Sequence, residues 1–194
     1  MSLRHRALAL LSALGLAAAL SCQRAPAGPI AVLRVRDFGE IRFELLESLA
    51  PRHVANFIAL ANTHFYDGTT FHRVIPKFMI QGGDPNSKDA DPNNDGTGGP
   101  GYTIQHEFSD THHAPGIVSM ARPSDVDGAG SQFFIMTTGS ESWQPQLDGQ
   151  YSVFGRVVAG QDVVDKISQA PRDRRDRPLQ NVTIESVTIL TAAK

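Results

Sequence analysis

Short runs in which apolar and polar residues alternate, each closed off by Gly, Pro or Asp, recur along this chain from Ile30, and they restrict its fold more than any other feature. Leu33 and Val35 alternate with Arg34 and Arg36; after Asp37-Phe38-Gly39-Glu40, Ile41, Phe43 and Leu45 alternate with Arg42 and Glu44. A period of two puts one set of side chains on one face, so these residues predict a β-hairpin with one buried face. Further strand-like runs fall at 71–75, 78–82, 102–106, 116–121, 131–138, 152–158 and 182–190. Two segments carry the helical period instead. Pro51 suits a first helical turn and is followed by Val54, Phe57, Ile58 and Ala61, while Val163, Val164 and Ile167 share a face within 160–169. Seventeen Gly and twelve Pro supply turns. Many short strands, two helices and Gly-rich links favour a mainly β fold, a closed antiparallel barrel, over a parallel α/β sheet. No internal repeat is present, and Arg172-Asp173-Arg174-Arg175-Asp176-Arg177 mixes both signs as a solvated loop does.

A chain of 194 residues with 41% hydrophobic and 20% charged residues can fill one core. Its net charge of -2 provides no global field for nucleic acid or anionic lipid. The start of the chain reads differently. Arg4, His5 and Arg6 precede fourteen uncharged residues, Ala7 to Leu20. As a helix this run would span about 21 Å, short of the roughly 30 Å of a bilayer core. Residues 1–21 therefore predict a signal peptide, and an exported, periplasmic or envelope location. Cys22, the only cysteine, follows directly in Ala19-Leu20-Ser21-Cys22, which resembles a permissive bacterial lipobox with Ala19 where Leu is more usual. Two readings stand: a lipidated Cys22 anchoring the mature chain to a membrane, or ordinary cleavage nearby leaving a free thiol. Residues 22–29 then form a flexible tether and 30–192 the folded domain, with no intrachain disulfide and nothing demanding more than a monomer.

The segment 71–84 reads FHRVIPKFMIQGGD: strand, Pro76, second strand, Gly82-Gly83 break. Arg73 alternates with apolar neighbours, and on spacing alone it is an exposed strand residue with a packed stem. Other constellations fall short of chemistry. Gly96-Thr97-Gly98-Gly99 lacks the Lys-Ser/Thr of a phosphate loop. Asp89, Asp91 and Asp95 do not give a calcium-loop series, and His106, His112 and His113, expected at exposed or turn positions, lack zinc spacing. Ser119 and Ser131 have no recognisable nucleophile elbow or triad.

Four segments together, FHRVIPKFMIQGGD at 71–84, GTGGPGYTIQHEF at 96–108, GIVSMARP with SQFFI at 116–135, and LDGQYSVFGRV at 147–157, resemble the cyclophilins, in that family's order and behind an NFIALA helix at 56–61. The resemblance runs from about residue 30 to 190. It implies a closed eight-stranded antiparallel β-barrel capped by two α-helices, with a substrate groove on its outside. It also implies a peptidyl-prolyl cis/trans isomerase that needs no metal or cofactor, acts on proline-containing unfolded or extended polypeptides, and binds no nucleic acid. By motif position Arg73 matches the catalytic arginine; Phe78, Met79, Phe134 and Leu147 match the proline pocket; Gln81 and Gln132 match polar groove residues. Ala121 and Arg122 match the strand edge that receives substrate backbone, and Tyr151 stands where many eukaryotic members carry histidine. His72 then reads as support for the site, since the reaction transfers no proton.

The chemistry accounts for these residue types. Amide resonance sets a rotational barrier of roughly 18–20 kcal/mol. In the twisted transition state the prolyl nitrogen regains a lone pair, so a fixed donor aimed there stabilises that state and not the planar ones. Arginine remains charged and presents a rigid fork of donors. The apolar set would hold the ring, and Gln81 would steer the preceding carbonyl as it turns. One departure is visible: a tryptophan often precedes the Leu of the LDG motif, but here Gln146 does, and Trp143 lies three residues earlier. Either Trp143 folds back over the groove or that wall is missing, and the resemblance then implies weak cyclosporin binding, which low-nanomolar inhibition in a titration would refute. A module that binds peptides in the same groove without turnover is the rival reading, against which the presence of Arg73 argues.

Overall fold

The computed structural model describes residues 27–191; the expected leader, Cys22 and residues 22–26 of the tether lie outside the described residues. Strands β1 (Ile30–Val35) and β2 (Gly39–Leu45) form the expected hairpin, from Val35 opposite Gly39 to Ile30 opposite Glu44. The remaining strands are β3 (Arg73–Ile75), β4 (Met79–Gly82), β5 (Ile117–Met120), β6 (Phe133–Met136), β7 (Val153–Ala159) and β8 (Ile184–Leu190). They make one antiparallel sheet in the order β3-β4-β6-β5-β7-β2-β1-β8.

The strand ladder is not closed. β3 is three residues long, and its free edge is taken by another segment: Val74 N–H donates to the Asp176 carbonyl at 2.9 Å. The two ends of the curled sheet meet only just before β3 and β8, at an isolated bridge between Thr70 and Thr183, with Phe71 N donating to Val182 O and Ile184 N to Thr69 O. The expected closed barrel is thus an open, curled eight-stranded sheet whose seam is joined by connecting backbone. The helices number three among the described residues, not two: α1 (Pro51–Asn62), α2 (Gln144–Leu147) and α3 (Gln161–Ser168). Helix α2 is a single turn continuing a 3-10 turn at Glu141–Trp143, too short to show a period in sequence.

Inside the curl, Phe57 from α1 lies at 4.9–5.7 Å from the rings of Tyr66, Phe154, Phe43 and Phe133, and all five side chains are fully buried. Aromatic rings at these separations add to the stabilisation from burial alone. α1 has no side-chain cap of its own at Ala50; the Glu107 carboxylate reaches its first turn instead, accepting from Arg52 N and His53 N, each at 3.1 Å.

The predicted strand 102–106 is absent. Only Ile104 bridges, to Ala129, and the donors that would extend a ladder go to side chains: His106 N to Asp127 and Glu107 N to Ser152 Oγ. Nor is 172–177 merely a solvated loop. Arg172 bridges Pro178, Asp173 N donates to Arg177 O, and the Asp173 carboxylate accepts from the backbone N–H of Arg175 and Arg177. A short ordered hairpin results, with Asp173 as its turn former.

Candidate active site

Most of the sheet has one buried face, but β4, β6 and β5 bury both. Ile80, Val118, Phe133 and Ile135 enter the interior, while Met79, Ile117, Phe134 and Met136 form a second apolar cluster on the outer face with Phe78, Leu147 and Val153. That outer cluster is the floor of the site. The β3–β4 turn presents its rim: Pro76 takes the first central position and Lys77, at φ 58°, the second, with Phe78 N donating to Ile75 O. This is the arrangement of a type II turn. Gly83 ends β4 at φ 84°, and a Cβ there would lie 2.5 Å from the Ser131 carbonyl, so only glycine lets β4 and the segment entering β6 approach this closely.

Arg73 and Gln81 face each other across β3 and β4, and Gln81 faces Phe134 across β4 and β6. Period two therefore places Arg73, Gln81, Met79 and Phe134 on the same outer face. A cavity of about 220 Å³ opens there, lined by Arg73, Phe78, Met79, Gln81, Ala121, Arg122, Phe134, Leu147 and Tyr151. A second, of about 600 Å³, shares Gln81, Ala121 and Arg122 and extends over Gln132 and the 96–103 loop. All ten residues matched to the groove by motif thus line one or both of two neighbouring cavities that share Gln81, Ala121 and Arg122.

Polar links order its rim. Arg73 Nη1 donates to Gln81 Oε1 at 3.5 Å, Gln81 Nε2 to Gln132 Oε1 at 3.0 Å, and Gln132 Nε2 to the Gly98 carbonyl at 2.9 Å. Arg122 donates to the Gln150 carbonyl from Nε and Nη2 and lies 4.8 Å over the Tyr151 ring, whose edge meets Phe134 at 5.5 Å. Arg122 thereby ties the 147–151 segment to the strand edge. Trp143 does fold back: its ring stacks on Phe78 at 4.0 Å while remaining 40% exposed, though it does not line the smaller cavity. His72 is buried behind Arg73, and burial pushes its pKa down against the pull of Asp84 and Asp95.

Two expectations from sequence are corrected here. His113 is not an exposed or turn histidine; it is fully buried and stacks behind Phe134 at 6.0 Å. Ser119, read as having no triad around it, stands 2.9 Å from His113 Nε2, and His113 Nδ1 stands 2.9 Å from Asp148 Oδ1. A carboxylate only accepts, so Nδ1–H donates to Asp148 and neutral Nε2 accepts from the Ser119 hydroxyl. Ser119 is itself fully buried, so this chain supports the floor and meets no substrate. Its signal was hidden because Asp148 is 35 residues from His113.

Burial lowers the His113 pKa despite Asp148, and it lowers that of His53 beside Glu107. The unfolded chain takes up these protons first, near pH 6.5, so stability falls as pH drops from there through the folded values. Burial alone would raise Asp148, but the hydrogen bonds from His112 and His113 outweigh it and hold its pKa low, so a second loss begins near pH 3.8. Urea melts should therefore show resistance falling as pH drops below about 6.5, with a further loss from near 3.8 downward, and a shallower first fall in His113→Asn.

The sequence from 30 to 189 matches the model of the family described as "Cyclophilin type peptidyl-prolyl cis-trans isomerase/CLD". Peptidyl-prolyl cis-trans isomerase B of Bacillus subtilis is 46% identical over 136 residues, 69% of this chain and 87% of that protein. Peptidyl-prolyl cis-trans isomerase-like 2 of Rhizopus delemar is 40% identical over 161 residues, 79% of this chain, which spans only 27% of that longer protein. Among solved structures, a Cryptosporidium parvum cyclophilin-type isomerase crystallised in the presence of the dipeptide Ala-Pro superposes with a TM-score of 0.73 at 30% identity, covering 85% of this chain and 99% of its own. With the family match spanning nearly all of the described fold, the chain belongs to the cyclophilin-type peptidyl-prolyl cis-trans isomerases.

Proposed function

We propose that this chain accelerates rotation about X-Pro bonds in extended or unfolded polypeptides, with Arg73 as the donor to the twisted prolyl nitrogen. The observation that carries this reading is the Arg73 guanidinium at the rim of a small cavity floored by Phe78, Met79, Phe134 and Leu147, with the Arg122 guanidinium turned to the Gln150 carbonyl. The floor holds the proline ring by apolar contact. Ala121 and Arg122 offer backbone to the extended peptide, and Gln81 and Gln132 meet its carbonyl side. An Ala-Pro dipeptide accompanies the Cryptosporidium relative, which fits a substrate of this kind. NMR exchange spectroscopy on a short Ala-Pro peptide tests the reading: catalytic amounts of protein should broaden the cis and trans resonances. Stoichiometric binding with no exchange enhancement would instead favour the peptide-binding module.

Trp143, the single tryptophan, provides a reporter. Because its exposed ring stacks on Phe78, peptide binding should change its emission, and Trp143→Phe should abolish the signal while leaving turnover within about twofold. Weak cyclosporin inhibition remains the expectation, since Trp143 stands beside the cavity and Gln146 is exposed.

We further propose export through residues 1–21 and a lipid anchor at Cys22, with the isomerase acting on envelope proteins. Mass spectrometry of the mature N-terminus tests this: acyl chains on Cys22 are expected, and a free Cys22 or an uncleaved leader would overturn it. Ala27 and Gly28, the first described residues, are tied to β2: their N–H groups donate to Glu44 Oε1, at 2.6 and 3.2 Å.

A further inference from the structure

We infer that the 172–178 hairpin is a positioning element for Arg73, acting through the Arg177–Asp95 ion pair; the inference rests on the isomerase reading of the groove. Arg177 Nε donates to Asp95 Oδ2 at 2.6 Å, with side-chain exposures of 23% and 8%. So short a pair, largely out of solvent, holds its two segments more firmly than a surface pair would. Arg175 adds a longer contact to Asn93 at 3.4 Å.

The segment so held leads straight into the site. Asp95 precedes Gly96, whose N–H donates to the buried Asp84 carboxylate, and two residues later the Gly98 carbonyl accepts from Gln132. The relay that follows has a direction. A side-chain amide has one oxygen that accepts and one nitrogen that donates. With Gly98 taking its nitrogen, Gln132 must present oxygen to Gln81; Gln81 then gives up its nitrogen and keeps its oxygen for Arg73. If the loop shifts and Gly98 O leaves, Gln132 is free to flip, and the Gln81 oxygen is held toward the guanidinium only by the long Arg73 contact itself. The last link, at 3.5 Å, is the longest and the first to fail. The same hairpin also holds the strand beneath: Asp176 O accepts from Val74 N, next to Arg73 in β3. One element thus constrains both the backbone that carries Arg73 and the amide that orients it.

The test is steady-state and NMR-exchange kinetics on an Ala-Pro peptide with wild type, Arg177→Met, Arg177→Lys, Arg73→Ala and the Arg73→Ala/Arg177→Met double variant. Arg177→Met should lower kcat about fivefold, the size of a coupling near 1 kcal/mol, with KM within about twofold of wild type. Arg177→Lys should recover part of the loss, and Arg177→Met should cost nothing further once Arg73 is Ala. The inference is overturned if Arg177→Met keeps wild-type kcat, or if it lowers the rate by the same factor without Arg73, as a general loosening would. Should Arg177→Met not fold, Asp95→Asn, which removes the charge and keeps the shape, carries the same two comparisons. An inactive wild type would refute the isomerase reading itself, before any variant is compared.

Discussion

Arg73→Ala will lower kcat/KM on an X-Pro peptide by about 10–150-fold, the worth of one hydrogen bond from a charged donor, while peptide affinity changes little. The split between the two quantities follows from what the guanidinium meets. In either planar isomer the prolyl nitrogen lone pair is delocalised into the carbonyl and accepts poorly; only the twisted amide offers it. An interaction made only in the transition state appears in kcat and not in ground-state binding. On the proposed function, binding is left to the apolar floor and the strand edge at Ala121 and Arg122, which the substitution leaves in place. Arg73→Lys should recover only part of the rate, because a lone ammonium cannot donate to Gln81 and the prolyl nitrogen from one rigid plane. The check is exchange NMR for the rate and Trp143 emission for the affinity. Wild-type turnover in Arg73→Ala would remove the arginine from the mechanism, and a parallel fall in rate and affinity would recast it as a binding residue.

How far the sequence revealed this site depended on the distance over which each determinant acts. Strands and the two longer helices rest on local periods, so β1, β2, α1 and α3 stand where Leu33, Phe43, Val54 and Val164 placed them. The resemblance marked residues that line the two cavities, because its motifs are short and contiguous. What stayed hidden is held by pairs far apart in the chain. Glu107 caps α1 from beyond residue 100, Asp148 fixes His113, and Arg177 reaches Asp95 across 82 positions. Charge composition at 172–177 could not distinguish a solvated loop from a hairpin, since what separates them is the Asp173 carboxylate accepting from its own turn. The open seam is of the same kind. The many short strand-like runs and the resemblance suggested closure, whereas the edge of β3 pairs through Val74 N–H with the distant Asp176 carbonyl and not with β8.

Phe133→Ala and Phe134→Ala, one position apart, should fail in different ways. Both rings are buried, at 0% and 5% exposure, so residue burial does not separate them. Strand alternation does. Phe133 points inward, edge-on to Phe57, Tyr66 and Phe71 at 5.7, 5.8 and 6.2 Å. Removing it leaves a cavity at the centre of the aromatic core and should cost about 3–5 kcal/mol, a large share of the 5–15 kcal/mol typical of a domain. The folded fraction would still carry an intact outer face, so activity per folded molecule should stay near wild type at low temperature. Phe134 points outward, between Tyr151 and His113 and over the cavity. Its truncation takes away the flat surface against which a proline ring would lie. A central interface anchor of this kind is worth about 2 kcal/mol, so peptide affinity should weaken roughly 30-fold. Stability should fall less than for Phe133, because the outer cluster is thinner and a nearby side chain or water can enter the space. Urea melts read the first effect, and peptide titration followed through Trp143 reads the second. If both variants lose stability equally and bind peptide equally, the outer face of β6 is ordinary core and the cavity above it is not the proline site.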